Sequence, residues 1–237
     1  MVRFTHGGAT GDLIFSLPTI KAMGGGELYI TKYDEQRANS IAELIRLQPY
    51  IIKVEVVDTP PEDCINLNKF RDHAGHHHNL VEAHFKGQGI PVERWQDGWL
   101  KSMKVDLPKG TNNLKGANHS IGIVPYCIIN RTTNYADPNF NWAKEVDYLF
   151  TLAEDVIFIG YESEYNTFQE LFNTKARFMP CSFLEAAYLI HNAKMFTGCY
   201  SAMSTIAMGL GINYRLEQAP GHTCSSLNEP RETIINV

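Results

Sequence analysis

The sequence predicts an α/β protein in which two parallel-sheet units face each other across a cleft. Three observations predict it. Short apolar strands alternate with helix-patterned segments over short connections, an order that builds parallel sheets covered by helices on both faces. A glycine-rich corner follows the first strand, and a corner of small and hydroxyl residues follows a late one. Between them, residues 106–119 are rich in Gly, Asn and Pro and lack an apolar period. That stretch divides the chain into units of similar size, 1–105 and 120–237.

The elements follow in order. Val2-Arg3-Phe4 reads as a strand, then His6-Gly7-Gly8-Ala9-Thr10-Gly11 as a loop and Asp12 to Met23 as a helix, with Pro18 predicting a kink or a restart. Glu27 to Thr31 reads as a strand and Ala38 to Leu47 as an amphipathic helix, with Ile41, Leu44, Ile45 and Gln48 at helical spacing. Ile51 to Val57 is a β-branched strand, and Cys64 to Leu67 a shorter one. In the second unit, residues 120–125 read as an apolar strand, and the loop that follows includes Tyr126 to Tyr135. A helix from Trp142 to Ala153, a strand at Val156 to Gly160, a helix at 163–173 and a strand at 176–179 come next. Ser182-Phe183-Leu184-Glu185 is a capping-box sequence that opens a helix reaching His191. Lys194 to Thr197 is the last clear strand, and Gly198 to Gly211 a glycine turn entering another helix.

Composition narrows the function classes. The 237 residues are 44% hydrophobic and 20% charged, which excludes disorder and collagen-like order. No apolar run approaches the roughly 20 residues that cross a bilayer, and the start lacks a secretory apolar segment. A cytoplasmic protein is expected, with peripheral association with the inner membrane face as a variant. The formal charge of −5 argues against a nucleic-acid partner, although a local basic groove stays open. The 5 cysteines are scattered and never spaced C-x-x-C, so they predict reduced thiols.

Both corners suit chemistry on an anion. At the first, glycines permit close approach to main-chain N–H groups, and the helix start supplies roughly half a positive charge. Asp12 there is either a helix-capping carboxylate or, facing a cleft, a base for a substrate hydroxyl. The loop is neither a Walker loop nor G-x-G-x-x-G, and Asp34 after the second strand carries only a weak dinucleotide signal. At the second corner, Ser201, Ser204 and Thr205 either hold a diphosphate or simply cap the helix.

Together the corners resemble the ADP-heptose:lipopolysaccharide heptosyltransferases of glycosyltransferase family 9. The first match runs from Gly11-Asp12-Leu13-Ile14-Phe15-Ser16-Leu17-Pro18 to Ala22, and the second from Gly198 to Gly211 without gaps. Tyr200, Ala202 and Thr205 stand where the family has Asp, Gly and His. The family's Lys before Trp-Pro has no counterpart near Asn141-Trp142, and Arg131 in the same loop is the candidate cation. The resemblance implies a compact GT-B-like fold of two Rossmann-like domains, an acceptor-side unit at 1–105 and a nucleotide-sugar unit at 120–237, joined by 106–119. It implies inverting, metal-independent transfer from a nucleotide-diphosphate sugar, with no cofactor and with domain closure assembling the site.

On this reading Asp12 is the catalytic base. Arg131, Tyr200, Ser201, Ala202, Met203, Ser204 and Thr205 hold the donor diphosphate. Tyr126, Gly160, Glu162 and Gly198 hold the nucleotide, and Gly8, Thr10, Gly11 and His78 form the acceptor side. The acceptor is a glycan or lipopolysaccharide. Alternatives are a hydroxymethylated DNA base, a protein side chain, or a non-catalytic nucleotide-sugar binder. The cluster His73, His76, His77, His78 and His84 invites a metal, but no acidic residue completes a signature, and a partly packed helix is preferred. Trp95, Trp99 and Trp142 are expected in core or interdomain packing.

Overall fold

The backbone follows the predicted alternation closely in the first unit. β1 (Arg3–His6), α1 (Thr10–Ala22), β2 (Gly26–Thr31), α2 (Glu35–Arg46), β3 (Ile51–Val57), β4 (Ile65–Asn66), a short 3-10 helix (Leu67–Asp72) and α3 (Leu80–Gly87) succeed one another. The computed structural model describes residues 1–31, 34–74, 79–92, 98–102 and 125–218, together with the backbone of 232–235. The second unit holds β5 (Tyr126–Asn130), α4 (Trp142–Leu152), β6 (Asp155–Ile159), α5 (Glu162–Phe172), β7 (Arg177–Met179), α6 (Phe183–Asn192), β8 (Met195–Gly198), α7 (Ala202–Leu210), β9 (Tyr214–Glu217) and β10 (Glu232–Ile235).

Every strand pair is parallel, in the orders β3-β2-β1-β4 and β10-β9-β8-β5-β6-β7. Each sheet reverses direction of winding at one point, beside β1 in the first and between β5 and β8 in the second. In doubly wound sheets ligands bind beyond the carboxyl ends of strands at such a reversal. Those ends carry the two corners singled out in the sequence.

Three expectations are corrected. Tyr126–Asn130, expected in a loop, is a strand, because Cys127, Ile128 and Ile129 form a fully buried run. Residues 120–124, like the predicted linker at 106–119, lie outside the described residues. Beyond Lys194 to Thr197 the sheet continues through β9 and β10, neither of which the sequence marks. Pro18 does not restart α1, which runs unbroken past it.

The reason for the last is a substituted hydrogen bond. Proline has no N–H to give the carbonyl four residues back, at Ile14. The Trp99 indole Nε1–H donates to that Ile14 carbonyl oxygen at 3.1 Å. Residues 98–102 thereby strap the two units together. The Trp99 and Leu100 N–H groups donate to the Gly209 carbonyl at 2.7 and 2.8 Å, and Lys101 exchanges two hydrogen bonds with the Gln48 side chain. A Cβ at Gly209 would lie 2.7 Å from the Leu100 side chain, so only glycine admits the strap.

Helices α1 and α2 of the first sheet pack on α7 and α6 of the second. Phe4, Leu17 and Ile41 therefore share one apolar cluster with Ile128, Ile190 and Ile206. A smaller cluster around Trp142, Phe158 and Phe168 covers the outer face of the second sheet. Trp99 and Trp142 thus pack as expected, while Trp95 lies outside the described residues. Helix packing joins the two units along α1, α2, α6 and α7. Among the described residues, an opening remains where the amino ends of α1 and α7 meet.

Candidate active site

At that place is a cavity of about 390 Å³ lined by residues of both units. From the first come Gly11, Asp12, Phe15, Phe70 and Arg71, and from the second Tyr135, Tyr200, Ser201, Ala202 and Thr205. The two helix starts approach closely, since a Cβ on Gly11 would stand 3.3 Å from Thr205 Oγ1 and 3.9 Å from the Ala202 backbone.

Helix α1 has no side-chain N-cap, for Ala9 occupies the capping position. Asp12, in the first turn, compensates by accepting from the Ala9 N–H. Burial pushes the Asp12 carboxyl up from its ordinary value, and the Arg71 charge and the Ala9 N–H oppose that rise. Arg71 Nη2 stands 3.6 Å from Asp12 Oδ2, and its side chain is more than half exposed. No sequence pattern marks Arg71, which reaches the site because the 3-10 helix follows β4 at the edge of the first sheet.

Behind Asp12 lies a buried histidine pair. The Gly8 N–H donates to His6 Nδ1 at 3.0 Å, which makes that nitrogen the unprotonated one. Burial and the Arg71 charge hold the His6 ring down to about 3. His84 stacks on Phe70 at 4.1 Å and tilts against His6 at 5.6 Å, and burial holds it well below the usual imidazole range. A Cβ at Gly8 would lie 2.6 Å from the His6 ring and 3.3 Å from Asp12 Oδ2, so a side chain there would displace the carboxylate. His84 is thus a packed core residue, as the sequence reading preferred. His76, His77 and His78 lie outside the described residues, among which no group of three His, Cys, Asp or Glu could hold a metal.

At the second corner the hydroxyls serve the helix. Ser201 Oγ accepts from the Ser204 N–H at 3.2 Å and donates to Asn130 Oδ1 at 2.7 Å. Ser204 Oγ accepts from the Ser201 N–H at 2.9 Å, and Thr205 Oγ1 donates to the Ser201 carbonyl. The first-turn N–H groups of Ala202 and Met203 are what this cap leaves for a ligand, at the positive end of α7. Asn130, whose Nδ2 also donates to the Ile159 carbonyl at 2.8 Å, ties the ends of β5, β6 and α7 together. Nothing in the local sequence pattern marks Asn130 for that part.

Of the predicted site residues, Asp12, Gly11, Tyr200, Ser201, Ala202 and Thr205 line the cavity. Gly8 and Thr10 support it from behind, and Met203 and Ser204 sit in the first turn of α7 without lining it. Gly160 follows β6 and Gly198 ends β8, a Cβ at either would run into Asn130, and Glu162 is exposed at the start of α5. His78 lies outside the described residues.

Two placements are corrections. Tyr126 begins β5, at the opposite end of the sheet, and its hydroxyl donates to the Leu189 carbonyl inside the core. Arg131 is buried away from the cavity. Its Nε donates to Glu217 Oε2 at 3.4 Å, its Nη2 to the Asp137 carbonyl at 3.4 Å, and its guanidinium lies 5.2 Å from the Phe172 ring centroid. A cation compensated by a buried carboxylate offers little field elsewhere. Arg71 is the guanidinium that reaches the cavity.

The fold and this junction define a two-unit α/β protein of GT-B-like architecture with its site between the units. Comparison with solved structures agrees. A glycosyltransferase family 9 structure from Veillonella parvula aligns with a TM-score of 0.68 and 11% identity, over 99% of this chain and 85% of that one. Escherichia coli heptosyltransferase WaaC with ADP-2-deoxy-2-fluoro heptose gives 0.63 and 12%, over 99% and 92%. The E. coli ADP-heptose lipopolysaccharide heptosyltransferase II gives 0.57 and 13%, over 100% and 91%. No family model matches the sequence, and no curated protein matches it. At these identities the likeness is one of fold.

Proposed function

We propose that the protein is a glycosyltransferase that moves a sugar from a nucleotide-diphosphate sugar to an acceptor hydroxyl, inverting the anomeric carbon without a metal. The observation that carries this reading is that the Asp12 carboxylate and the uncapped N–H groups of α7 face each other across one cavity. The acceptor oxygen attacks the anomeric carbon as its proton passes to Asp12. The bond from that carbon to the diphosphate oxygen breaks with its electron pair on the diphosphate, through an oxocarbenium-like transition state. The departing charge is met by the start of α7 and by Arg71, which takes the part expected of Arg131. The nucleoside extends toward Gly160 and Glu162 beyond β6. The acceptor is a glycan or lipopolysaccharide, a reading supported by the nature of the fold's neighbours.

The electrostatics support Asp12 as base. Burial raises its proton affinity, which strengthens it as an acceptor, while the Arg71 charge opposes that rise. The test is a thermal-shift screen of nucleoside diphosphates and their sugars, followed by assay of diphosphate release. Nucleoside diphosphates should stabilise both the wild type and Asp12→Asn, whereas only the wild type turns the sugar nucleotide over. Normal turnover by Asp12→Asn would remove Asp12 as the base. No stabilisation by any nucleoside diphosphate would remove the donor.

A further inference from the structure

Arg131 to Asn141, between β5 and α4, is an eleven-residue segment without regular structure, and its middle enters the interior. Backbone groups that go inside need partners. Here one side chain supplies a partner for the buried Asp137 N–H and binds the side chains of Arg131 and Trp142 on either side of it. Glu217, the last residue of β9, is fully buried. Its Oε1 accepts from the Asp137 N–H at 3.0 Å, and its Oε2 accepts from Arg131 Nε and from the Trp142 indole N–H. Arg131 returns to the Asp137 carbonyl, and Asp137 Oδ1 accepts from the Asn139 N–H at 2.9 Å. At the near end, the Thr132 N–H donates to Cys199 Sγ at 3.1 Å. Between the Thr132 and Asp137 anchors the chain bulges outward and carries Tyr135 to the cavity rim.

A fully buried carboxylate is costly, and apolar residues could fill the same volume more cheaply. What the carboxylate adds is a fixed path for eleven residues. Tyr135 is 42% exposed and lines the cavity together with Asp12 and Ser201. An aromatic ring half in solvent at such a rim presents a large, stiff surface with a polar tip to whatever enters. We propose that Tyr135 contacts the bound sugar nucleotide and that Glu217 is the residue that positions it, through the carboxylate's hold on Arg131, Asp137 and Trp142. The contact rests on the functional reading above, but the hold on the loop does not.

The experiment compares wild type, Glu217→Gln, Tyr135→Ala and the double variant. Glu217→Gln keeps the shape but halves the acceptor capacity of that end. Amide hydrogen exchange should quicken at least tenfold in a peptide spanning 131–141, with β5 and β8 unchanged. Unchanged exchange in that peptide overturns the positioning role. With a sugar nucleotide that the wild type uses, each single variant should raise KM about tenfold and lower kcat much less. The double variant should raise KM no further than either single one. Additive KM effects, or a KM equal to wild type in Tyr135→Ala, overturn the contact. If no nucleoside diphosphate stabilises the wild type, the contact falls together with the functional reading, while the exchange result still decides what Glu217 does.

Discussion

At the scale of the residue, folding opposes the charged form of each buried titratable group at the site. The folded pKa of Asp12 is raised, so the native state binds its proton more readily than the unfolded chain, and ionising it near neutrality costs stability. Asp12→Asn should therefore abolish turnover and yet melt higher than wild type at pH 7, with the gain shrinking as the pH falls through the Asp12 pKa. Melting curves across that range check it, and a lower melting temperature at pH 7 would contradict it. His6 and His84 act in the opposite direction. Burial depresses both, so their neutral forms stabilise the fold above the unfolded imidazole value near 6.5, and that stability is lost as pH falls below it. Each should contribute a slope of about 1.4 kcal/mol per pH unit, running down to about 3 for His6. His6→Asn, which keeps an acceptor for the Gly8 N–H, should remove about one histidine's worth of that slope in urea titrations between pH 6 and 4. The place of Asp12 at the cavity was legible because a first-turn carboxylate after a glycine corner lies beyond the carboxyl end of a parallel strand, where such sheets open to ligands. Arg71 and Glu217 were not, because each reaches its partners through the order of strands in the sheet, which local patterns do not encode.

At the scale of the element, capping and turn chemistry was legible where it is local. The Ser182 capping box opens α6 as its sequence says. The same logic failed at Tyr126 to Asn130, where a fully buried parallel strand has no alternation to mark it and a polar stretch follows at once. Pro18 failed for a different reason, since the element that rescues α1 is an indole far along the chain. That rescue makes a sharp prediction. Trp99→Phe keeps a ring against Phe15 and Gly209 but leaves the buried Ile14 carbonyl without its donor, at a cost of about 1–3 kcal/mol. Pro18→Ala restores a backbone N–H for the same carbonyl. In a double-mutant cycle by equilibrium denaturation, Trp99→Phe should then cost about 1 kcal/mol less in the Pro18→Ala background. A coupling of zero would mean that the indole stabilises by packing alone.

At the scale of the molecule, the resemblance implied two domains that close on their substrates, and the structure argues for something stiffer. One apolar cluster runs through both sheets by way of α1 on α7 and α2 on α6, the strap at 98–102 is bonded to both units, and the Phe183 N–H donates to Ser40 Oγ across the junction. Hinge motion on the scale of a domain would have to expose that shared core, at about 25 cal/mol for each Å² uncovered. Opening even a few hundred Å² costs several kcal/mol, more than a modest ligand-induced shift supplies. The junction is then preassembled, with Asp12 and the start of α7 already opposed, and any ligand enters by local movement at the rim. A compact chain of this length has a radius of gyration of about 18 Å. Small-angle scattering should give about that value, unchanged within roughly 0.5 Å when a stabilising nucleoside diphosphate is added, and heat should unfold the chain in one transition. A contraction of more than about 1 Å on binding, or two resolved transitions, would mean that the units separate in solution and that the shared core is not what holds Asp12 and the start of α7 in register.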